Sequence, residues 1–252
     1  SISHVFAVGL IVKQGWSPWA AIGVTLLIAI AIGLVNGILV VALRVDAFVA
    51  TLGTSSVVGG IALAYTSGKT IFGKVPRSFT DLARGRLGGV PHPVILVAVV
   101  AAIVGVVLAA LPVGRRMYAT GGNERAARLT GIATNRYVIG AFVTSSLLAG
   151  LAGVVLGSRL GTASPSTGGS LLLPAFAGAF LGATTVRPGR FNVAGTILAV
   201  YTLAIAVAGL QQMGAPVWFE PVFNGAALVL AVAASQWALR QRQRRARQRE
   251  IA

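Results

Sequence analysis

Runs of about 20 apolar residues recur along the chain, each closed by a short polar or arginine-bearing stretch. That is the length an α-helix needs to cross the hydrocarbon core of a bilayer, at about 1.5 Å per residue over about 30 Å. After an apolar segment at 1–12, such runs lie at about 19–43, 47–65, 93–113, 137–160, 171–186, 193–213 and 219–239. The pattern predicts seven full spans and one partial one. The 1–12 segment is too short to cross, and no charged stretch precedes it as in a signal peptide. It reads as the tail of a span that begins upstream of Ser1. The expected fold is therefore all-α: a polytopic transmembrane helix bundle, N-terminally truncated, with a membrane domain over 1–239 and a basic tail over 240–252. The 171–186 run is short and holds Pro174 near its start, so a full span and a broken or re-entrant element both stay open.

Lysine and arginine assign sides to the loops, because cytoplasmic loops carry the excess. With Arg240, Arg242, Arg244, Arg245, Arg247 and Arg249 placed inside, alternation also puts Arg187, Arg190, Arg115, Arg116, Arg125, Arg128, Arg136 and Arg44 inside. Arg159, Lys69, Lys74, Arg77, Arg84, Arg86 and Lys13 fall outside. Fourteen of the 21 basic residues thus face the cytoplasm, and the C-terminus with them. The 114–136 loop is cytoplasmic in this scheme. The polar 66–91 loop is outside, where its five basic residues fit the bias poorly.

Composition agrees with the span pattern. Only 10% of the 252 residues are charged and 56% are hydrophobic, against about 25% charged in soluble domains. Glycine is abundant, at 32 residues, and small residues let membrane helices approach closely. A net charge of +16 would point to nucleic acid in a soluble protein. Here the arginines lie between spans, where topology accounts for them, and no aromatic residue follows Trp237 to stack on bases. The tail is expected to meet anionic lipid head groups, not nucleic acid. Trp16, Trp19, Trp218 and Trp237 lie near the proposed interfaces, as in an aromatic belt. The chain lacks cysteine, and His4 and His92 stand apart, so no metal site is indicated.

The segment 47–55 and the segment 175–185 both hold Ala-Phe, then Leu-Gly followed by small residues and hydroxyls. Their spans run in opposite directions in this topology, which would make them an inverted repeat.

The acidic residues are Asp46, Asp81, Glu124, Glu220 and Glu250. All lie in loops, the tail or near span ends, and no lysine or arginine lies near a midplane. Ion-coupled carriers place ionisable groups there, so the pattern favours a neutral substrate. Neither a nucleophile–base arrangement nor a phosphate-binding loop is present, so no enzyme is expected. Polar residues inside spans are candidates for a translocation pathway: Asn36, Thr51, Thr54, Ser55, Ser56, Thr184, Thr185, Gln211, Gln212 and Asn224, with Gly53 in the small-residue 52–56 segment. Helix–helix hydrogen bonding is the plainer role for each of them.

The 114–136 loop carries a short helix signal. Asn123 is a good N-cap, Glu124 suits the positive end of a helix dipole, Arg128 lies near the other end, and Gly131 can take a left-handed C′ position. Residues 124–130 are predicted to be one short capped helix. Seven residues do not hold a helix alone in water, so it must dock, either on a partner protein or on the membrane surface.

The string Gly114-Arg115-Arg116-Met117-Tyr118-Ala119-Thr120-Gly121-Gly122-Asn123-Glu124-Arg125-Ala126-Ala127-Arg128-Leu129-Thr130-Gly131-Ile132 resembles the cytoplasmic loop of bacterial ATP-binding-cassette importer permeases of the ribose/xylose/galactoside type. Asn36-Gly37 with 43–54, and 147–153 with 158–161, resemble the same family, and branched-chain amino-acid permeases are more distant relatives. The resemblance implies a monosaccharide permease in the bacterial cytoplasmic (inner) membrane. It implies two cytoplasmic ATP-binding-cassette subunits, an extracytoplasmic solute-binding protein and a second permease subunit, the same or different. ATP and Mg would belong to the ATPase partner, with no cofactor on this chain. Coupling to the ATPase would fall to Gly121, Gly122, Asn123, Glu124, Ala126, Ala127, Arg128 and Gly131. The chain departs from the family at the apolar 170–176 segment, at Gly182-Ala183, at 187–190, and at Glu220 and Pro221. An ion-coupled carrier or channel and a non-transporting membrane scaffold are the alternatives.

Overall fold

A computed structural model of the chain describes residues 2–186, 189–216 and 218–234. The expected tail at 240–252, with Arg187 and Trp237, lies outside the described residues. The chain forms two compact units, Ser1–Gly168 and Gly169–Ala252.

The first unit contains α1 (Ile2–Gln14), α2 (Pro18–Val41), α3 (Ala47–Thr66), α4 (Arg77–Arg84), a hairpin of β1 (Arg86–Leu87) and β2 (Val90–Pro91), α5 (His92–Ala109), α6 (Pro112–Gly122), α7 (Glu124–Leu129) and α8 (Thr134–Leu160). The one-turn helix α9 (Thr167–Ser170) lies at the boundary, and α10 (Leu172–Thr185), α11 (Val193–Gln212) and α12 (Phe219–Ala234) form the second unit. Among the described residues the fold is all-α but for the small hairpin and one isolated bridge. Among the described residues six helical segments are long and apolar enough to cross a membrane, where seven full spans were expected. The difference is α12, whose described part is shorter than a full crossing. The 171–186 run is extended by α9 into a 19-residue candidate span, Thr167–Thr185. Pro174 sits in the first turn of α10, where its missing N–H costs no helical hydrogen bond.

Helix starts follow the chain's polar punctuation. The Ser17 hydroxyl accepts from Ala20 N–H, with Pro18 opening α2. Asp46 accepts from the N–H groups of Phe48 and Val49 at 2.9 and 3.2 Å, which explains a carboxylate at this span end. Asn192 opens α11 by accepting from Gly195 N–H at 2.7 Å.

Close approach of α2 and α8 organises the first unit. A methyl group on Gly33 would stand 2.7 Å from Val143 Cα and 2.8 Å from the Phe142 carbonyl oxygen. One on Gly150 would stand 2.6 Å from Ala29 Cβ. Such small-residue seams bring helix backbones into contact and substitute packing for the missing hydrophobic drive between helices in lipid. The short α1 is enclosed against α8: Val5, Ala7 and Val8 are fully buried.

The 66–91 stretch, expected as a polar outer loop, is a built cap holding α4 and the hairpin. Gly88 and Gly89, both with positive φ, make the hairpin turn. Phe79 is fully buried, and Ser158 Oγ donates to its carbonyl at 2.6 Å. Ile71 pairs with Ala163 in an isolated antiparallel bridge. Arg84 donates from Nε to the Arg159 carbonyl at 2.9 Å and from Nη2 to the Leu160 carbonyl at 3.2 Å. Lys13 Nζ donates to the Tyr65 carbonyl at 2.7 Å and lies 4.9 Å from that ring's centroid. Arg84, one of the five cations that fitted the charge bias poorly, thus sits at the negative end of α8, and Lys13 at that of α3.

In the second unit α10 and α11 pack through Ala177, Gly178, Gly182 and Ala183 on one side and Gly195, Ala199 and Leu203 on the other. Gln211 Nε2 donates to Glu220 Oε2 at 3.0 Å, so the unusual carboxylate near the start of α12 has a partner on α11. The two repeat-like segments fall in α3 of the first unit and α10 of the second.

Candidate functional site

The 114–136 segment is more helical than expected. Pro112 at the first turn launches α6, which carries Gly121 and Gly122 in its last turn. Asn123, extended at φ −158°, breaks the chain, and α7 follows at once. The Asn123 side chain accepts from Ala126 N–H at 3.0 Å. The helix ends at Leu129, one residue earlier than predicted, with Thr130 as its cap and Gly131 at φ +81°.

A polar knot ties α7 to α8. Arg128 Nη2 donates to Glu124 Oε1 at 2.6 Å and to Asn135 Oδ1 at 3.0 Å, while its Nε donates to Thr134 Oγ1 at 2.8 Å. Thr134 is buried, and its hydroxyl is also 3.3 Å from Glu124 Oε1. Ala127 is the one buried residue of α7, facing the protein, whereas Ala126 and Arg125 are exposed. Leu129 is 90% exposed, the barest large apolar side chain among the described residues. Sequence reasoning passed over it, although an apolar residue on a short capped helix that must dock is itself a contact signal.

The second feature is a cavity of about 190 Å3 among α1, α2, α3 and α8. Its polar lining is Ser3, Asn36, Thr51, Thr54, Ser55 and Ser146. Four expected pathway residues are thus brought together, and Gly53 and Ser56 are not among those that line it. A helix turns by about 100° per residue, so residues 51, 54 and 55 share a face that 53 and 56 do not. Ser3 and Ser146 were missed. The test that selected Asn36, a polar residue within a span, also selects Ser146, but nothing local marks Ser3.

Asn36 is buried with no hydrogen-bond partner for Oδ1. The α3 hydroxyls are donors to their own helix: Thr51 to the Ala47 carbonyl at 2.8 Å, Thr54 to Ala50 at 2.8 Å, Ser55 to Leu52 at 2.8 Å. No Asp, Glu, Lys or Arg lines the cavity. In the second unit Thr184 and Thr185 both donate to the Leu181 carbonyl, Asn224 is buried on α12, and Gln211 and Gln212 are exposed.

Residues 2–232 match the family described as branched-chain amino acid transport system / permease component. The chain is 36% identical over 198 residues to the ribose import permease protein RbsC of Bacillus subtilis, covering 78% of this chain and 62% of that protein. It is 32% identical over 219 residues to RbsC of Haemophilus influenzae, covering 86% and 68%. It is 32% identical over 231 residues to the autoinducer 2 import system permease protein LsrD of Klebsiella pneumoniae, covering 90% and 70%. The chain therefore spans about two thirds of the length of these relatives. No solved structure matches it. With nearly all of its length matched, the chain belongs to the branched-chain amino acid transport system / permease component family.

Proposed function

We propose that this chain is the membrane-spanning subunit of an ATP-binding-cassette importer that moves a monosaccharide or similar small neutral solute across the bacterial cytoplasmic membrane. Relatives named for ribose import and autoinducer 2 import support the solute class. So does a cavity that offers hydroxyls and one amide but no ionised group. The lack of ionised lining opposes an ion-coupled carrier, which holds its coupling ion on such groups.

The observation that carries the reading is α7, a helix too short to be stable alone, pinned to α8 and presenting Leu129 outward. Two cytoplasmic ATPase subunits, holding ATP and Mg, would grip this helix on each permease of a pair. Their closure would displace α7, and the Arg128 knot would pass the movement to the first turn of α8. Because α8 is seated on α2 through Gly33 and Gly150, the two would move as a body, and both line the cavity. A solute-binding protein would deliver the solute at the opposite face, and α7 and the C-terminus would be cytoplasmic.

The test is Leu129→Glu, with Arg86→Gln on the hairpin as control. The first variant is expected to reach the membrane at normal levels, lose co-purification with the ATPase subunit and lose solute uptake. The control keeps both. Uptake that persists in cells lacking every such ATPase overturns the proposal.

A further inference from the structure

A groove of about 850 Å3 lies among α5, α6, α8 and the 130–133 link. α5 packs chiefly on α6, and α8 chiefly on α2 and α1, so the two leave a gap between them. Its walls are mainly hydrocarbon: Ile103, Val104, Val107 and Leu108 from α5, Ala141 and Leu148 from α8, with the hydroxyls of Thr144 and Ser145 between the last two. Its lining also holds two guanidinium groups, Arg116 and Arg136, and no carboxylate. Arg116 Nη1 donates to Tyr137 Oη at 3.1 Å, which fixes the direction of that side chain. Like any guanidinium, Arg116 is cationic at physiological pH.

A soluble anion would answer the arginines and leave the walls bare. An apolar helix of another chain would cover the walls and leave two cations unmatched. From this charge complementarity we propose that the groove holds one anionic phospholipid, its phosphate between Arg116 and Arg136 and an acyl chain along α5 and α8. Arginine presents several donors in a planar fork suited to phosphate oxygens. Basic pockets between membrane helices are a general means of holding acidic lipid head groups. The inference rests on membrane placement and stands whether or not the chain carries a sugar.

The test is native mass spectrometry of the purified full chain, titrated with phosphatidylglycerol or with phosphatidylcholine of identical acyl chains. The wild type is expected to retain one phosphatidylglycerol in preference to phosphatidylcholine. Each of Arg116→Gln and Arg136→Gln should weaken that preference about fivefold. Thr144→Trp, which fills the groove, should remove lipid retention, and Arg86→Gln should leave it unchanged. Glycerol phosphate, with the head-group chemistry but no acyl chain, should fail to displace the lipid. A photoactivatable phosphatidylglycerol on the unmodified chain should label residues 103–108 and 140–148, which covers the case of a variant that does not fold. Equal retention of the two lipids, unchanged preference in both arginine variants, or labelling confined to other segments overturns the proposal. So does a disulfide between two copies through Thr144→Cys in native membranes, which would show a second chain seated in the groove.

Discussion

Arg128 Nε lies 2.8 Å from Thr134 Oγ1, so a six-residue helix is fastened to the first turn of α8, the longest helix among the described residues. The Arg128–Glu124 ion pair is half exposed and contributes little alone. The buried Thr134 hydroxyl is the partner that fixes the geometry. Arg128→Ala is expected to lower uptake about tenfold, equivalent to about 1.4 kcal/mol, with membrane levels retained. Arg128→Lys should restore only part of it, since one ammonium cannot reproduce the fork that reaches Thr134, Glu124 and Asn135. A thermal double-mutant cycle of Arg128→Ala with Thr134→Val should show a coupling of about 1 kcal/mol. Additive effects would mean the contact transmits nothing.

Two glycines on neighbouring spans should respond oppositely to the same change. Gly33→Ala drives a methyl group into the α8 backbone, which cannot yield as a flexible side chain would. It should destabilise by about 1–3 kcal/mol, read as a fall in unfolding temperature in detergent. At Gly53 nothing lies within 4 Å of the added methyl group. Gly53→Ala should be neutral or stabilise by up to about 1 kcal/mol through helix propensity.

Asn36 separates function from stability. Its Oδ1 has no partner, so Asn36→Leu forfeits no hydrogen bond at that atom. The variant should fold with an unfolding temperature close to that of the wild type while uptake falls at least about tenfold, because the one amide in the cavity is gone. Unchanged uptake would remove this cavity from the solute's route.

One arginine ties the cap to the end of α8 through two carbonyls. Arg84→Ala leaves the Arg159 and Leu160 carbonyls without their donor. Amide exchange over 77–91 should quicken roughly tenfold, as expected for a loss of about 1.4 kcal/mol. Lys74→Ala, on the same stretch, should leave exchange unchanged.

What was legible in the sequence was whatever depends on neighbours along the chain. Apolar runs marked α2, α3, α5, α8 and α11 within a few residues, and Asn123 with Glu124 marked the start of α7. The cap at 66–91 was not legible, because its order comes from partners far away: Ser158 bonds Phe79, and Arg84 reaches Arg159. α6 was hidden by its arginine- and glycine-rich sequence, although Pro112 announced its first turn. The cavity was half legible. Polar residues within spans were visible, but the set that shares a face emerges only from helical rotation and from the packing that brings Ser146 and Ser3 alongside. Leu129 was visible yet unremarkable until its exposure was known.

Because the α3 hydroxyls each commit their hydrogen to a carbonyl of their own helix, they turn only oxygen lone pairs toward the cavity. A solute rich in hydroxyl groups finds acceptors there, but few donors to clasp its own oxygens. If the solute passes here, such a surface would recognise by allowing passage, not by retention. The dwell time of a sugar would then be set by how fast the walls part, leaving discrimination to whatever hands the sugar over.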